Sequence, residues 1–233
     1  MLSYQVKICG IRSAHDLKVV SEAKPDAVGF IVGARHFTLD AVNPDFVRLA
    51  ISVLPEEIVP VMVTHVTTAK EVLSLVEQTG CSVVQLHSDI SPEEIYTIMK
   101  VAPELTLIKA FHANVPGSIA TIPLYTSFVD AIILDTAADN RVGGTGKTHD
   151  WKVSARISMG LSKPVILAGG LNPDNIELAI LQVNPVAVDV NSGVEDEDGN
   201  KDFKKVKAFI KNAKQAFERM NNVNNSLVTS SVR

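Results

Sequence analysis

One feature constrains this chain more than any other. Short apolar runs rich in valine and isoleucine alternate with longer amphipathic stretches, eight times over. The runs are Gln5–Ile8, Asp26–Val32, Ile58–Val63, Ser82–Leu86, Leu105–Ala110, Val129–Leu134, Pro164–Leu167 and Pro185–Val190. They recur roughly every 25 residues, the period of a strand–helix unit. Their near-continuous apolarity is what a parallel strand covered on both faces requires. The stretches between them carry helix signals. Ser13 and Thr67 or Thr68 are N-cap residues, and Ser91-Pro92 is followed by Glu93 and Glu94. Pro44 suits a first helical turn, and Gly80 is a natural stop.

Parallel crossovers are right-handed, and eight of them in succession close on themselves. The pattern therefore predicts a single-domain α/β fold, a (β/α)8 TIM barrel over residues 1–220. An open doubly wound sheet is the alternative; no GxGxxG follows the first run, which argues against a dinucleotide-binding sheet. Residues 221–233 are polar and patternless and read as a disordered tail. With 46% hydrophobic residues in 233, one sizeable core is affordable. A net charge of −4 leaves no basic footprint for nucleic acid or an anionic membrane. The first residues lack the pattern of a secretory signal, and no apolar run reaches membrane-spanning length, so a cytoplasmic protein is expected. Cys9 and Cys81 have neither CxxC nor metal-type spacing and read as free thiols.

Barrel active sites lie at the C-terminal ends of the strands. Those ends hold Cys9, Arg35, His65, His87, His112 and Asp135, then Gly169-Gly170 and Ser192-Gly193. Three glycine-rich turns follow the last three strands: Gly143-Gly144-Thr145-Gly146, Gly169-Gly170 and Ser192-Gly193. Any one of them could be a mere tight turn. Three at one barrel face predict a phosphate cradle of backbone N–H groups, with Gly144, Thr145, Gly146, Gly169, Gly170, Ser192 and Gly193 as its members. The expected partner is thus a small phosphorylated molecule.

Asp135 ends an apolar run, where partial desolvation raises a carboxyl pKa toward that of a general acid; the other reading is a loop cap. Cys9 is either a small buried hydrophobe or a base. Lys7, two residues earlier on the same strand face, would lower its pKa. Together a thiolate and a carboxylic acid across one mouth form an acid–base pair suited to isomerising a sugar phosphate. No HxH or HxxxH spacing supports a metal site, and none is expected. The lysines of the last helix, Lys201, Lys204, Lys205, Lys207, Lys211 and Lys214, read as a solvated face.

Several segments occur together in a family's order: Lys7-Ile8-Cys9-Gly10-Ile11, Gln85-Leu86-His87, GGTGKT (143–148), LAGGLNPDNI (167–176) and DVNSGVE (189–195) with Lys201-Asp202. On these the chain resembles phosphoribosylanthranilate isomerase, over roughly residues 4 to 215. The resemblance implies a cofactor-free Amadori rearrangement in tryptophan biosynthesis, with Asp135 as general acid and Cys9 as general base. It also implies a substrate site that includes Lys7 and His87, and either a monomer or a homodimer fits. Two alternatives remain: an isomerase of a different phosphoribosyl amine, and a non-catalytic phosphate-binding barrel. The sequence departs from the family in one loop. Where the family carries Lys-Ser-Pro-Arg, this chain reads Gly33-Ala34-Arg35-His36-Phe37-Thr38. Counted without gaps, Arg35 falls on the family's lysine and Thr38 on its arginine. Arg35 is nonetheless the candidate for a substrate carboxylate. Ser88 also stands where the family has glycine.

Overall fold

The structure, a computed structural model, describes residues 3–35, 38–136 and 149–230. The strands are β1 (Val6–Ile8), β2 (Ala27–Val32), β3 (Val59–Thr64), β4 (Val83–Leu86), β5 (Thr106–His112), β6 (Ala131–Asp135), β7 (Val165–Leu167) and β8 (Ala187–Val190). The helices are α1 (Ala14–Ala23), α2 (Pro44–Val53), α3 (Ala69–Thr79), α4 (Pro92–Val101), α5 (Pro116–Ala120), α6 (Trp151–Gly160), α7 (Ile176–Val183) and α8 (Phe203–Ser230). Every strand pairs in parallel with its sequence neighbours, and β1 also pairs with β8. That last pairing closes the barrel and rules out the open sheet.

The helix starts follow local chemistry. Ser13, Asn43, Thr68 and Ser91 each accept a backbone N–H of their own first turn, satisfying donors that the helix leaves orphaned. Pro44 and Pro92 follow two of these caps, where a missing N–H costs nothing. Gly80 ends α3 at φ +79°, a conformation nearly free for glycine.

Strand alternation separates two apolar layers. Outward residues such as Val28, Phe30, Met62, Val84, Leu86, Leu107, Ile132 and Leu134 pack against the helices. Inward residues, among them Val61, Val63, Ile108, Ile133 and Ile166, fill the barrel. Each large aliphatic side chain so buried contributes roughly 1.5–3 kcal/mol. Among the described residues, no helix is long and apolar enough to cross a membrane.

Two sequence expectations differ from the structure in the C-terminal region. Residues 221–233 read as a disordered tail, yet α8 continues through 221–230 to Ser230, and 231–233 lie outside the described residues. Residues 221–230 contain neither glycine nor proline, so nothing in the backbone stops the helix. Lys201 does not belong to a solvated helix face. It precedes α8, pairs with Glu195 in a short antiparallel bridge, and is fully buried.

Candidate active site

The site grows out of polar residues inside the barrel. Closure sets Lys7 of β1 directly beside Asp189 of β8. Lys7 Nζ donates to Asp189 Oδ2 at 2.8 Å, with the lysine fully buried. Burial alone would push the ammonium pKa down. The Asp189 carboxylate, helped by Cys9, reverses this and holds it above the usual lysine value. Cys9 lies one residue past β1 on the same inward face. A β-carbon at Gly29 of β2 would stand 2.7 Å from Cys9 Sγ and 2.9 Å from Lys7 Nζ. Glycine there is what makes room for both.

The ammonium does not give Cys9 the low pKa read from the sequence. Burial pushes the thiol up to about 11; Lys7 pulls it back by less than burial costs, and Asp189 opposes Lys7. At rest Cys9 is therefore a thiol.

Asp135 behaves as expected of a desolvated acid. It closes β6, in register with His112 of β5. Its Oδ1 accepts the Thr136 N–H at 2.6 Å. Burial lifts the carboxyl to about 6, against the pull of the Thr136 N–H and of Lys7. His87 Nε2 lies 3.7 Å from Asp135 Oδ2. On its other side, the Gln85 amide N–H donates to His87 Nδ1 at 3.3 Å. That assignment puts the ring proton on Nε2, toward the carboxylate. Burial, then His65 and His112, lower His87 to about 3, so the ring is neutral. His65 and His87 directly follow β3 and β4, His112 ends β5, and the three rings stand side by side with centroids 5.5 and 5.6 Å apart. A cavity of about 560 Å³ opens beside them, lined by His87, Asp89, Lys109, Phe111 and Tyr125. Among the described residues, no group of three His, Cys, Asp or Glu is placed to hold a metal ion.

The turn after β7 lies next to Asp135, and the turn after β8 meets it at Leu171. Gly169 and Gly170 have φ of +86° and +68°. A β-carbon on Gly169 would strike Thr136 and Asp135, and one on Gly193 would overlap the Leu171 carbonyl oxygen. Ser192–Val194 form a single 3-10 turn. The expected cradle members Gly144, Thr145 and Gly146 lie outside the described residues.

Arg35 is not brought to Cys9 and Asp135. It rests on α3, with its guanidinium on both Glu71 oxygens at 3.0 and 3.1 Å, and is half-exposed. Sequence reasoning missed Asp189, although a signal existed: an acid inside the apolar run PVAVDV needs a partner, and barrel closure supplies Lys7.

A sequence profile described as N-(5'phosphoribosyl)anthranilate (PRA) isomerase matches residues 6–212. The chain belongs to the phosphoribosylanthranilate isomerase family. It is 40% identical to N-(5'-phosphoribosyl)anthranilate isomerase 2 of Methanosarcina mazei, over 94% of this chain and 98% of that protein. Among solved structures, the family member from Thermotoga maritima superposes with a TM-score of 0.79 at 34% identity, covering 91% of this chain and 99% of that one. Another isomerase of the family, at TM-score 0.76 and 31% identity over 91% of this chain and 99% of that chain, was solved with reduced 1-(o-carboxyphenylamino)-1-deoxyribulose 5-phosphate. Within the family's barrel, Cys9 and Asp135 occupy strand ends, and the turn after β7 packs beside the acid.

Proposed function

We propose that the chain catalyses the Amadori rearrangement of N-(5-phosphoribosyl)anthranilate to 1-(o-carboxyphenylamino)-1-deoxyribulose 5-phosphate in tryptophan biosynthesis. It does so in the cytoplasm, without a cofactor, as a monomer or a homodimer. The observation that carries this reading is a carboxyl at the end of β6 in the same mouth as a buried cysteine backed by an ammonium.

Asp135 donates its proton to the furanose ring oxygen, the C1–O bond breaks, and a protonated Schiff base forms. Cys9 first gives up its thiol proton to solvent; as thiolate it then removes the proton from C2, and the electron pair moves to give an enolamine. The enolamine tautomerises to the ketone. The cationic Schiff base favours the thiolate electrostatically and makes the C2 proton more acidic. Lys7 adds a second positive charge at the sulfur. Neutral His87 offers an N–H toward Asp135 and supports the carboxylate left after proton donation. Backbone groups of Gly144, Thr145, Gly146, Gly169, Gly170, Ser192 and Gly193 hold the phosphate. Arg35 binds the anthranilate carboxylate only by leaving Glu71, and this favours a second reading: an isomerase for a different phosphoribosyl amine.

Turnover of phosphoribosylanthranilate, followed by loss of its fluorescence, tests the proposal. Clear turnover that collapses in Cys9→Ala and Asp135→Ala supports it. Binding of a phosphate ligand without turnover overturns it.

A further inference from the structure

A polar cluster surrounds the turn that carries Cys9, and the acid–base mechanism makes no use of it. We propose that Asn191 is a positioning residue for Cys9, locked by Lys201 on one side and Asp40 on the other. The inference rests on the reading of Cys9 as the general base.

Asn191 follows β8 directly. The preceding residue, Val190, accepts the Cys9 N–H at 2.8 Å. The two ends of the Asn191 amide have opposite partners. Lys201 Nζ donates to its Oδ1 at 2.6 Å, and its Nδ2 donates to Asp40 Oδ2 at 2.9 Å. An ammonium demands the oxygen and a carboxylate demands the NH2, so only one orientation of the amide satisfies both.

Both partners are themselves held. Lys201 is fully buried, and its remaining donors go to the Asn191 carbonyl at 3.2 Å and Glu195 Oε1 at 2.6 Å. Its three N–H groups thus meet three acceptors. Asp40 Oδ1 accepts Arg12 at 3.3 Å, and Arg12 donates onward to the Gly199 carbonyl at 2.6 Å. Asp16 ties the base of the cluster, accepting the Arg12 and Lys201 backbone N–H groups at 3.1 and 2.9 Å.

The locked amide lies against Gly10, the residue after Cys9. A β-carbon on Gly10 would overlap Asn191 Oδ1, and Gly10 has φ +73°. Glycine is therefore required both for the turn and for the approach of the amide. Asn191 forms the wall against which the Cys9–Gly10 turn is set. Through Asp40, the loop after β2 presses on the same wall. Loss of the wall frees the turn, and a displacement of about 1 Å at a reacting group costs on the order of 100-fold in rate.

The test uses the full chain with Asn191→Ala, Asp40→Ala and Cys9→Ala. Asn191→Ala lowers kcat about 10- to 100-fold while KM stays within about 3-fold, since substrate contacts are retained. It also changes the iodoacetamide rate of Cys9 at least about 5-fold, with buried Cys81 as the internal control. Asp40→Ala shifts both readouts in the same direction by less, and it carries the test if Asn191→Ala does not fold. A merely structural role would lower the melting temperature and leave kcat per folded molecule and thiol reactivity unchanged. That result overturns the proposal, as does a rise in KM alone. If Cys9→Ala itself keeps turnover, the reading of Cys9 as base fails instead.

Discussion

Replacing Asp135 by asparagine should abolish turnover at every pH and stabilise the protein only at neutral or alkaline pH. Burial lifts this carboxyl from an ordinary 3.8 to about 6. Between those values the folded chain holds a proton that the unfolded chain has lost. Stability therefore falls as pH rises through this window. Above pH 6 the folded protein carries the full cost of an ionised, desolvated carboxylate, about 3 kcal/mol for that shift. Asparagine keeps an oxygen for the Thr136 N–H and carries no charge. It also gives up the attraction to Lys7, and the Asp135 side chain is one-quarter exposed. Solvent screening and the lost attraction reduce the gain to about 1–2 kcal/mol. For a chain of this size, that raises the melting temperature by about 2–8 °C at pH 8. Urea unfolding of both proteins at pH 4 and pH 8 checks the argument. The gap should open mostly between the two pH values. A variant less stable than the parent at pH 8, or a gap equal at both, refutes the reasoning.

The free-enzyme pH profile should be unusual. With the acid at about 6 and the base at about 11, the fraction bearing protonated Asp135 and ionised Cys9 is about 10⁻⁵ and flat between those values. kcat/KM should be level from pH 6.5 to pH 9 and fall about tenfold per unit below pH 6; a narrow bell near neutrality counts against the assignment. Lys7→Met leaves Asp189 charged, buried and without its ammonium, so denaturant unfolding should show a loss of about 3–5 kcal/mol. The double variant Lys7→Met with Asp189→Leu should recover most of it. Arg35→Ala should raise KM with kcat within about twofold and change stability by less than about 1 kcal/mol, because its pair with Glu71 is half-exposed; an unchanged KM removes Arg35 from the site. Gly193→Ala meets the Leu171 carbonyl, a backbone atom, and should both lower the melting temperature and raise KM for the phosphorylated substrate. A neutral result in both assays would show that the turns after β7 and β8 need no close contact.

The fold could be read from sequence because its signals are local. A run such as Asp26–Val32 is apolar throughout, and caps such as Ser13 and Ser91 act within one helical turn. The candidate acid and base were legible for the same reason: Asp135 and Cys9 both sit where an apolar run stops. Lys201 was misread because its neighbours in sequence form a solvated helix, while its partners Asn191 and Glu195 come from another turn.

By itself, the sequence determined eight parallel units, the strand ends at which chemistry could occur, and the residue types there. Tertiary structure decided what those residues are. Cys9 is held as a thiol because its burial at the end of β1 outweighs the charge of Lys7. Lys7 is spent on Asp189 because closure lays the first strand beside the last. Arg35 is paired with Glu71 in the first turn of α3. Periodicity and capping act between near neighbours in the chain. Desolvation and charge pairing depend on groups that only the closed barrel brings together.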